Sequence, residues 1–295
     1  MTKPDWIAID WGTTHLRVWG MTASGTIVDQ AKSDRGMGSL SRDEFEGALH
    51  DLVGDWGCTG PMIACGMVGS RQGWVEAPYA TAPCPALPDG LTRAPSATMD
   101  VRVIPGIKQM QPADVMRGEE TQIAGFLSLN PKWDGVICLP GTHTKWVHIS
   151  ADEVVSFQTF MTGEMFALLS GQSVLQHSIG NGWDDAAFAT AVSEAISKPE
   201  ALAARLFNLR ANELVNGQCR DAARARLSGL LIGAELAAAR PYWLGQSVAV
   251  VGAGPLAKIY TTALTAQGVP VTQTDGDRAT LAGLTAAYRR LKATS

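Results

Sequence analysis

The sequence predicts an α/β protein of about two domains, because 295 residues exceed the length of one typical domain. A strand, a glycine–threonine turn and a second strand occur twice, at 7–21 and 136–149, so each half of the chain opens with a β-hairpin. Elsewhere apolar residues recur at helical spacing, as Ile123, Phe126 and Leu127 do. Strands and helices mixed along one chain indicate sheets covered by helices.

The first half is predicted to be a β-meander followed by mixed elements. Its first helix begins at a capping box formed by Ser41 and Glu44. Residues 77–98 are rich in proline, alanine and threonine and predict a long surface loop. The other elements expected here are strands at 6–10, 16–21, 26–31, 61–68 and 101–104 and a helix at 119–129.

The second half is predicted to be richer in helices. After its opening meander, one buried strand leads into a glycine turn and a helix, and a final helix ends the chain. The strands expected are 136–139, 145–149, 154–160, 247–251 and 270–274, and the helices are 162–170, 184–197, 200–214, 221–240, 255–267 and 277–292.

Composition excludes several classes of protein. The formal net charge of −4 supplies no broad cationic face, so no nucleic-acid partner is expected. No run of about 20 apolar residues and no secretory leader occur, so we expect no membrane span and a cytoplasmic location. The five cysteines are irregularly spaced and favour a reducing compartment.

The first glycine turn follows a strand that ends at Asp10. Gly12 lets the backbone approach a ligand, and Thr13 and Thr14 add hydroxyl groups beside exposed N–H groups, which suits phosphate oxygens. Asp10 is placed to hold Mg²⁺ through water. A plain hairpin with polar turn residues explains the same pattern equally well.

The second turn repeats this chemistry with Gly141 and Thr142. Either turn alone is consistent with an ordinary hairpin. The duplication favours a pair of phosphate-binding hairpins, one opening each domain.

A third turn follows a buried strand and contains Gly252, Ala253, Gly254 and Pro255. A helix that starts at Pro255 would present its N-terminus to an anion or a nucleotide. The turn also fits the G-x-G-x-x-A fingerprint of NAD- or FAD-dependent oxidoreductases, with Asp275 near the position of the ribose-binding acid. Too little chain follows Asp275 to complete a dinucleotide-binding fold, so this alternative is less favoured.

An acidic pair, Glu119 and Glu120, opens the helix at 119–129. The helix dipole favours carboxylates in a first turn, so the pair has a simple capping explanation. The alternative is a general base that takes the proton of a substrate hydroxyl. The pattern alone leaves both interpretations open.

Taken in chain order, the first hairpin, the acidic helix start, the second hairpin, the third turn and the final helix resemble the superfamily of sugar kinases, heat-shock ATPases and actin. Residues 7–17 are similar to its first phosphate motif, 250–256 to its adenosine motif and 279–284 to its second connecting helix. The resemblance implies a two-lobed actin-like ATPase (ribonuclease H-like) fold with a central cleft and two connecting helices. Small residues would let these helices cross closely, namely Ala124, Gly125, Ala282 and Gly283.

The same resemblance divides the chain into three parts. Residues 1–129 form an N-terminal lobe with the first phosphate hairpin and the sugar-acid site. Residues 130–277 form a C-terminal lobe with the second hairpin and the adenosine site, and 278–295 return to the N-terminal lobe.

Four longer segments, 65–74, 117–122, 139–146 and 160–166, resemble the 2-dehydro-3-deoxygalactonokinase family. That family uses ATP and Mg²⁺ to phosphorylate the C6 hydroxyl of 2-dehydro-3-deoxy-D-galactonate. The resemblance implies a small sugar-acid substrate and leaves open whether the chain forms a homodimer. It also leaves open which epimer, the galactonate-derived or the gluconate-derived acid, is the substrate. Two further alternatives are a kinase for another sugar or sugar acid and an exopolyphosphatase-type hydrolase.

The resemblance assigns roles to the candidate residues. It makes Glu120, in preference to Glu119, the catalytic base. Because Cys138-Leu139-Pro140 replaces the usual Asp of the second phosphate motif, Mg²⁺ rests on Asp10 and the nucleotide phosphates. The nucleotide is held by Gly12, Thr13, Thr14, Gly141, Thr142, Gly252, Ala253, Gly254 and Pro255.

The sugar acid is assigned to four further residues. Arg71, in a turn with Ser70, is expected to bind the carboxylate, although a surface arginine explains it almost equally well. Glu164 is expected to bind substrate hydroxyls or to cap its helix. Trp74 is expected to pack on the sugar or to fill the base of its loop.

Overall fold

The computed structural model describes residues 3–252 and 254–294 of the chain. Its strands are β1 Trp6–Trp11, β2 Leu16–Met21, β3 Ile27–Ser33, β4 Met62–Gly66, β5 Tyr79–Thr81, β6 Cys84–Pro85, β7 Thr92–Arg93, β8 Val101–Val103, β9 Gly106–Met110, β10 Ala113–Met116, β11 Gly135–Leu139, β12 Thr144–Ser150, β13 Glu153–Phe160, β14 Val248–Val251 and β15 Val271–Thr274. Its helices are α1 Phe45–Val53, α2 Glu119–Leu129, α3 Thr162–Gln172, α4 Asp185–Ser197, α5 Leu202–Asn216, α6 Arg220–Ala238, α7 Arg240–Trp243, α8 Gly254–Thr265 and α9 Gly276–Ala293.

Most of these elements lie within a few residues of the positions predicted for them. The exceptions lie at 77–116. The predicted loop at 77–98 contains three short strands, and the hairpin of β9 and β10 was not predicted. Its residues alternate poorly between apolar and polar, since Met110 and Val115 are both exposed, so a period-two signal is weak there.

The chain forms two compact units. The first contains residues 1–134, 149–156 and 274–295, and the second contains 135–148 and 157–273. Thus the chain returns twice to the first unit after leaving it. The lobe boundaries inferred from the sequence, at 129 and 277, stay a prediction.

The first unit is built on a six-stranded sheet in the order β3-β2-β1-β4-β8-β7. Strand β1 pairs antiparallel with β2 and parallel with β4. Its alternate residues enter two different cores, as expected for a strand covered on both faces. Ile7, Ile9 and Trp11 pack with α1, whereas Trp6 and Ala8 pack with α9.

Helices α2 and α9 approach each other closely in this unit. A Cβ atom on Gly125 would lie 1.8 Å from the Ala279 carbonyl oxygen, and one on Gly283 would lie 2.0 Å from that of Thr121. No larger residue fits at either position without moving a helix backbone. The predicted close crossing of two helices at small residues is therefore confirmed.

The second unit contains β11 and β14, which pair parallel, most of β12 and β15, and the second half of β13, in the sheet order β15-β14-β11-β12-β13. Helices α4 and α6 pack at Gly229 and Gly233, where an added Cβ would lie 2.6 Å from a carbonyl oxygen of α4. The core joins these helices to α8 and the buried strands. Across both units, none of the helices that the structure describes has the length and apolarity to cross a bilayer.

Candidate active site

Glu120 lies in the first turn of α2, which begins after Gly118. Gly118 has φ of +103°, a conformation that glycine adopts readily, and it lies against Gly66. The Glu120 side chain is 0% exposed. Its Oε2 accepts a hydrogen bond from the Gly118 N–H at 2.5 Å, and its Oε1 accepts one from the Thr121 hydroxyl at 2.9 Å. The carboxylate therefore caps its own helix while lying at a buried helix start.

The environment of Glu120 raises its pKa from its ordinary value to about 8. Burial is the largest cause, and the negative charge of Glu119 adds to it, while the two hydrogen bonds oppose it. Glu119 is half-buried and accepts a hydrogen bond from the Arg117 N–H at 3.1 Å. Of the two acidic residues, Glu120 thus has the affinity for protons that a general base near neutral pH requires.

Asp10 lies at the end of β1, paired across the hairpin with Arg17 of β2. Arg17 donates to the Asp10 carboxylate and to Asp277, in the first turn of α9. Burial lowers the pKa of Arg17, but the two carboxylates more than offset this, so it lies above its ordinary value. The Cys65 thiol lies 3.8 Å from the Asp10 Oδ1. This cluster joins β1, β2, β4 and α9 at one place.

Within the part of the chain that the structure describes, no group of three or more acidic, histidine or cysteine side chains is arranged so that it could hold a metal ion. Asp10 offers one carboxylate whose side chain is 17% exposed. Magnesium is commonly held by one or two carboxylates together with substrate phosphates and water. Asp10 therefore fits a Mg²⁺ ion that arrives with a nucleotide, rather than one held by protein groups alone.

The tip of the first hairpin is supported by the segment after β3. Gly36 donates to the Thr14 carbonyl at 3.1 Å, and Gly38 donates to the Thr13 carbonyl at 2.9 Å. A Cβ atom on Gly36 would lie 2.2 Å from the Thr14 carbonyl carbon. Thr13 and Thr14 remain exposed beside the half-buried Gly12. Their hydroxyls are free to meet a ligand while their backbone is fixed.

The second hairpin is supported by the start of α3. The Glu164 N–H donates to the Thr142 carbonyl at 2.9 Å, and a Cβ atom on Gly163 would lie 2.3 Å from the Gly141 carbonyl oxygen. His143 Nε2 lies 2.7 Å from the Glu164 carboxylate. Glu164 therefore bonds to the hairpin, so both its backbone and its side chain fix this turn.

A cavity of about 360 Å³ opens beside the second hairpin, inside the second unit. Gly141, Thr142 and Pro255, three of the residues predicted to bind the nucleotide, contribute to its wall. Its other wall residues include Thr162, Phe166, Trp183, Arg224, Ile259 and Tyr260. Arg224 lies over the Phe166 ring at 5.2 Å. The volume and the aromatic and cationic wall suit a small organic anion with a ring.

Three of the four residues predicted at the third turn are described. Gly252 follows β14, and Gly254, with φ of +65°, is the first residue of α8, ahead of Pro255. Ala253 lies outside the described residues. The helix start predicted at this turn is confirmed, and in the described part of the chain β15 and α9 come after α8.

A buried polar network lies behind the cavity. Glu235 of α6 is 3% exposed and accepts hydrogen bonds from Trp146 Nε1 and from the Tyr260 hydroxyl, both at 2.8 Å. Thr162 also donates to it, and Tyr260 lies 3.0 Å from the Thr144 hydroxyl. Burial raises the pKa of Glu235, and its three donors lower it. The network ties β12, α3, α6 and α8 together around the cavity.

The residues predicted to bind the sugar acid lie in different surroundings. The Arg71 side chain is 81% exposed, with its Nε 3.4 Å from Glu76. Trp74 is 2% exposed and packs with Trp11 and Phe45 at ring distances of 6.2 and 6.1 Å. This packing accounts for Trp74 without a ligand. Ser70 is 6% exposed, and its hydroxyl has no hydrogen-bond partner among the described residues.

Sequence reasoning did not single out two buried charged residues, Glu235 and Arg117. Glu235 interrupts an apolar helix run, 230–236, and a lone acid there is a signal for a buried network. Arg117 stands in the segment that carries the acidic pair, but it is buried by contacts with Gly69, Ala77 and Tyr79, which are distant in sequence.

Comparison with known proteins gives a family for this arrangement. The profile of the family described as 2-keto-3-deoxy-galactonokinase matches residues 10–287. The chain belongs to this family. The match includes the turns of both hairpins, the acidic pair of α2 and most of α9. The kinase family predicted from the sequence is confirmed.

Two relatives of the 2-keto-3-deoxy-galactonokinase family extend over nearly the whole chain. A probable 2-dehydro-3-deoxygalactonokinase of Rhizobium meliloti (strain 1021) is 38% identical over 296 residues, 96% of each chain. The 2-dehydro-3-deoxygalactonokinase of Escherichia coli (strain K12) is 34% identical over 286 residues, 95% of this chain and 96% of the relative.

Solved structures agree with this family. A crystal structure of a protein assigned as a 2-dehydro-3-deoxygalactonokinase from Sinorhizobium meliloti has a TM-score of 0.91 at 38% identity, covering 97% of this chain and 96% of that one. The ADPNP-bound activator of 2-hydroxyisocaproyl-CoA dehydratase from Clostridium difficile has a TM-score of 0.56 at 11% identity, covering 98% and 96%, which shows the fold alone. The predicted actin-like ATPase fold class is confirmed.

Proposed function

We propose that this family member transfers the γ-phosphoryl group of ATP to the C6 hydroxyl of 2-dehydro-3-deoxy-D-galactonate. The observation that carries the chemistry is Glu120, a buried carboxylate at a helix start with a pKa raised to about 8. A carboxylate of this kind can accept the proton of a sugar hydroxyl as the new O–P bond forms. The identity of the acceptor is inferred from the names of the two relatives.

The proposed roles of the other residues follow from their positions. Thr13 and Thr14, on the first hairpin, and Thr142, on the second, offer hydroxyls to the nucleotide phosphates. The cavity beside Gly141 and Pro255 receives the nucleoside. Phosphoryl transfer depends mainly on positioning and charge neutralisation, which these rigidly held turns provide.

Magnesium enters the proposal as part of the Mg-ATP substrate. Asp10 is the residue that would hold the ion together with the phosphates, and Mg²⁺ would supply charge neutralisation at the transferred group. Arg17 fixes the Asp10 carboxylate in place through their ion pair.

We further propose that the enzyme serves galactonate catabolism in the cytoplasm. Its cysteines within the described residues are free thiols, which fits a reducing compartment.

The proposal is tested by ADP release in a coupled assay with Mg-ATP and 2-dehydro-3-deoxy-D-galactonate. Parallel samples contain the gluconate epimer or no sugar acid. Release that requires the galactonate-derived acid is the expected result. Equal release without any acid would indicate a hydrolase and contradict the proposal. Release with the epimer alone would move the substrate to the gluconate series.

A further inference from the structure

Arg117 is a buried cation whose hydrogen-bonding capacity is mostly unused. Its side chain is 8% exposed and lies three residues before Glu120. Only Nη2 has a partner, the Ala77 carbonyl at 2.7 Å. Among the described residues, Nε and Nη1 have no hydrogen-bond partner. A guanidinium is always charged, so an unpaired buried one costs free energy unless an anion completes it.

Among the described residues, no carboxylate bonds to the Arg117 guanidinium. The guanidinium stacks on the Tyr79 ring at 4.3 Å and lies against the backbone of Gly69. The cation–π contact stabilises the charge but leaves the in-plane N–H groups unused. Ser70, next to Gly69, also carries a buried hydroxyl without a partner among the described residues. Two kinds of unused donor thus occur around one short segment.

We propose that Arg117, assisted by Ser70, binds the carboxylate of the sugar acid, which makes it the residue that selects an acid over a neutral sugar. This inference rests on the proposed function. A guanidinium forms charge-assisted hydrogen bonds with a carboxylate, and the unused N–H groups of Nε and Nη1 are the donors that Arg117 offers. Glu120 and Arg117 would then bind opposite ends of one molecule, the C6 hydroxyl and the C1 carboxylate.

This assignment replaces Arg71 as the carboxylate ligand. Arg71 is exposed and close to Glu76, so water already solvates it and its contribution to binding would be small. The Arg117 nitrogens are not accessible to solvent, so segment 67–77 has to shift when the acid enters. The result would be an ion pair between Arg117 and the carboxylate in a site that excludes water, where discrimination against an uncharged analogue is strongest.

The test compares Arg117→Gln with the wild-type enzyme on two acceptors, the sugar acid and its methyl ester. Wild-type turnover of the acid is measured first. For Arg117→Gln we expect the KM for the acid to rise by about 30-fold or more, with the KM for ATP nearly unchanged. The preference for acid over ester should collapse. Arg93→Gln, at an exposed arginine of the same unit, is the matched control and should retain both values.

The outcomes separate the inference from the function. If the wild-type enzyme does not phosphorylate the acid, the proposed function fails. If the wild-type enzyme does and Arg117→Gln keeps its preference for acid over ester, the inference alone is overturned. A loss confined to Arg71→Gln would also overturn it.

A variant that fails to fold does not end the test. Circular dichroism identifies such a case, and Arg117→Lys, which keeps the charge, and Ser70→Ala then decide. Both should reduce the preference for acid over ester by smaller factors, because each removes only part of the donor set. Unchanged preference in both would count against the inference.

Discussion

Glu120 is the residue on which the proposed chemistry depends. Its carboxylate has a pKa of about 8 because it is buried at a helix start beside Glu119. The same contacts that cap α2 keep the carboxylate in one orientation. Capping and base catalysis, alternatives in the sequence, are thus compatible in the structure.

The pKa of Glu120 predicts a pH dependence. A base acts only when deprotonated, so kcat/KM for the sugar acid should rise about tenfold per pH unit below pH 8 and level off above it. The measurement is the pH–rate profile of the wild-type enzyme at low acid concentration. A flat profile between pH 6 and about 8 would contradict the assignment.

The positions of the acidic pair and of the hairpin threonines in the fold could be predicted because short local segments define them. The proposed partner of the substrate carboxylate could not. Arg71 and Arg117 look alike in sequence, and only the path of segment 67–77 leaves one exposed and the other buried. The burial of a single charge is a tertiary property, which local patterns do not contain.

At the scale of elements, the hairpins are held by the backbone of neighbouring segments, and the Glu164 side chain adds a contact to the second one. The start of α3 fixes the second hairpin through Gly163, whose missing Cβ lets the Gly141 carbonyl approach. A similar absence of Cβ atoms lets α2 and α9 cross. Both contacts explain why glycine occupies these positions inside helices, where it otherwise weakens them.

Gly163→Ala should weaken nucleotide binding. The added methyl would lie 2.3 Å from the Gly141 carbonyl oxygen, so the hairpin has to move. We expect the KM for ATP to rise about tenfold, since overpacking typically costs 1–3 kcal/mol. Gly171→Ala in the same helix has no atom within 4 Å of its new Cβ and serves as the control. Equal KM values for both variants would contradict this account of the hairpin.

Gly125→Ala should lower stability through the α2–α9 crossing. The expected loss in the free energy of unfolding is about 2 kcal/mol or more, because the methyl meets the Ala279 carbonyl at 1.8 Å. Gly47→Ala, on the open face of α1, should instead stabilise by roughly 0.5–1 kcal/mol. Urea unfolding of both variants measures the difference. Destabilisation of the same size in both would show that the crossing is not the cause.

For the whole molecule, elements were predictable where apolar residues recur at regular spacing, and were not predictable where that spacing is irregular. The meander of β1 to β3 and the long helices were predictable because their apolar faces repeat regularly. The β9–β10 hairpin and the strands β5 to β7 were not, since they contain only two to five residues each. The division into units also depends on contacts between distant segments, as the return of 149–156 and 274–295 shows.

The whole-molecule account is that an actin-like fold holds two glycine–threonine hairpins, a nucleoside cavity and one buried base for phosphoryl transfer to a sugar acid. Family membership supports the reaction, and Glu120 supplies the chemistry. A neighbouring variant, Glu119→Gln, distinguishes the two members of the acidic pair.

The most direct test is the turnover of Glu120→Gln at saturating Mg-ATP and sugar acid, measured as acid-dependent ADP release. We predict that kcat falls by roughly 10²–10⁴-fold while the KM for ATP changes little, because the amide cannot accept the hydroxyl proton. Near-full turnover by Glu120→Gln, or a comparable loss only in Glu119→Gln, would contradict the central claim.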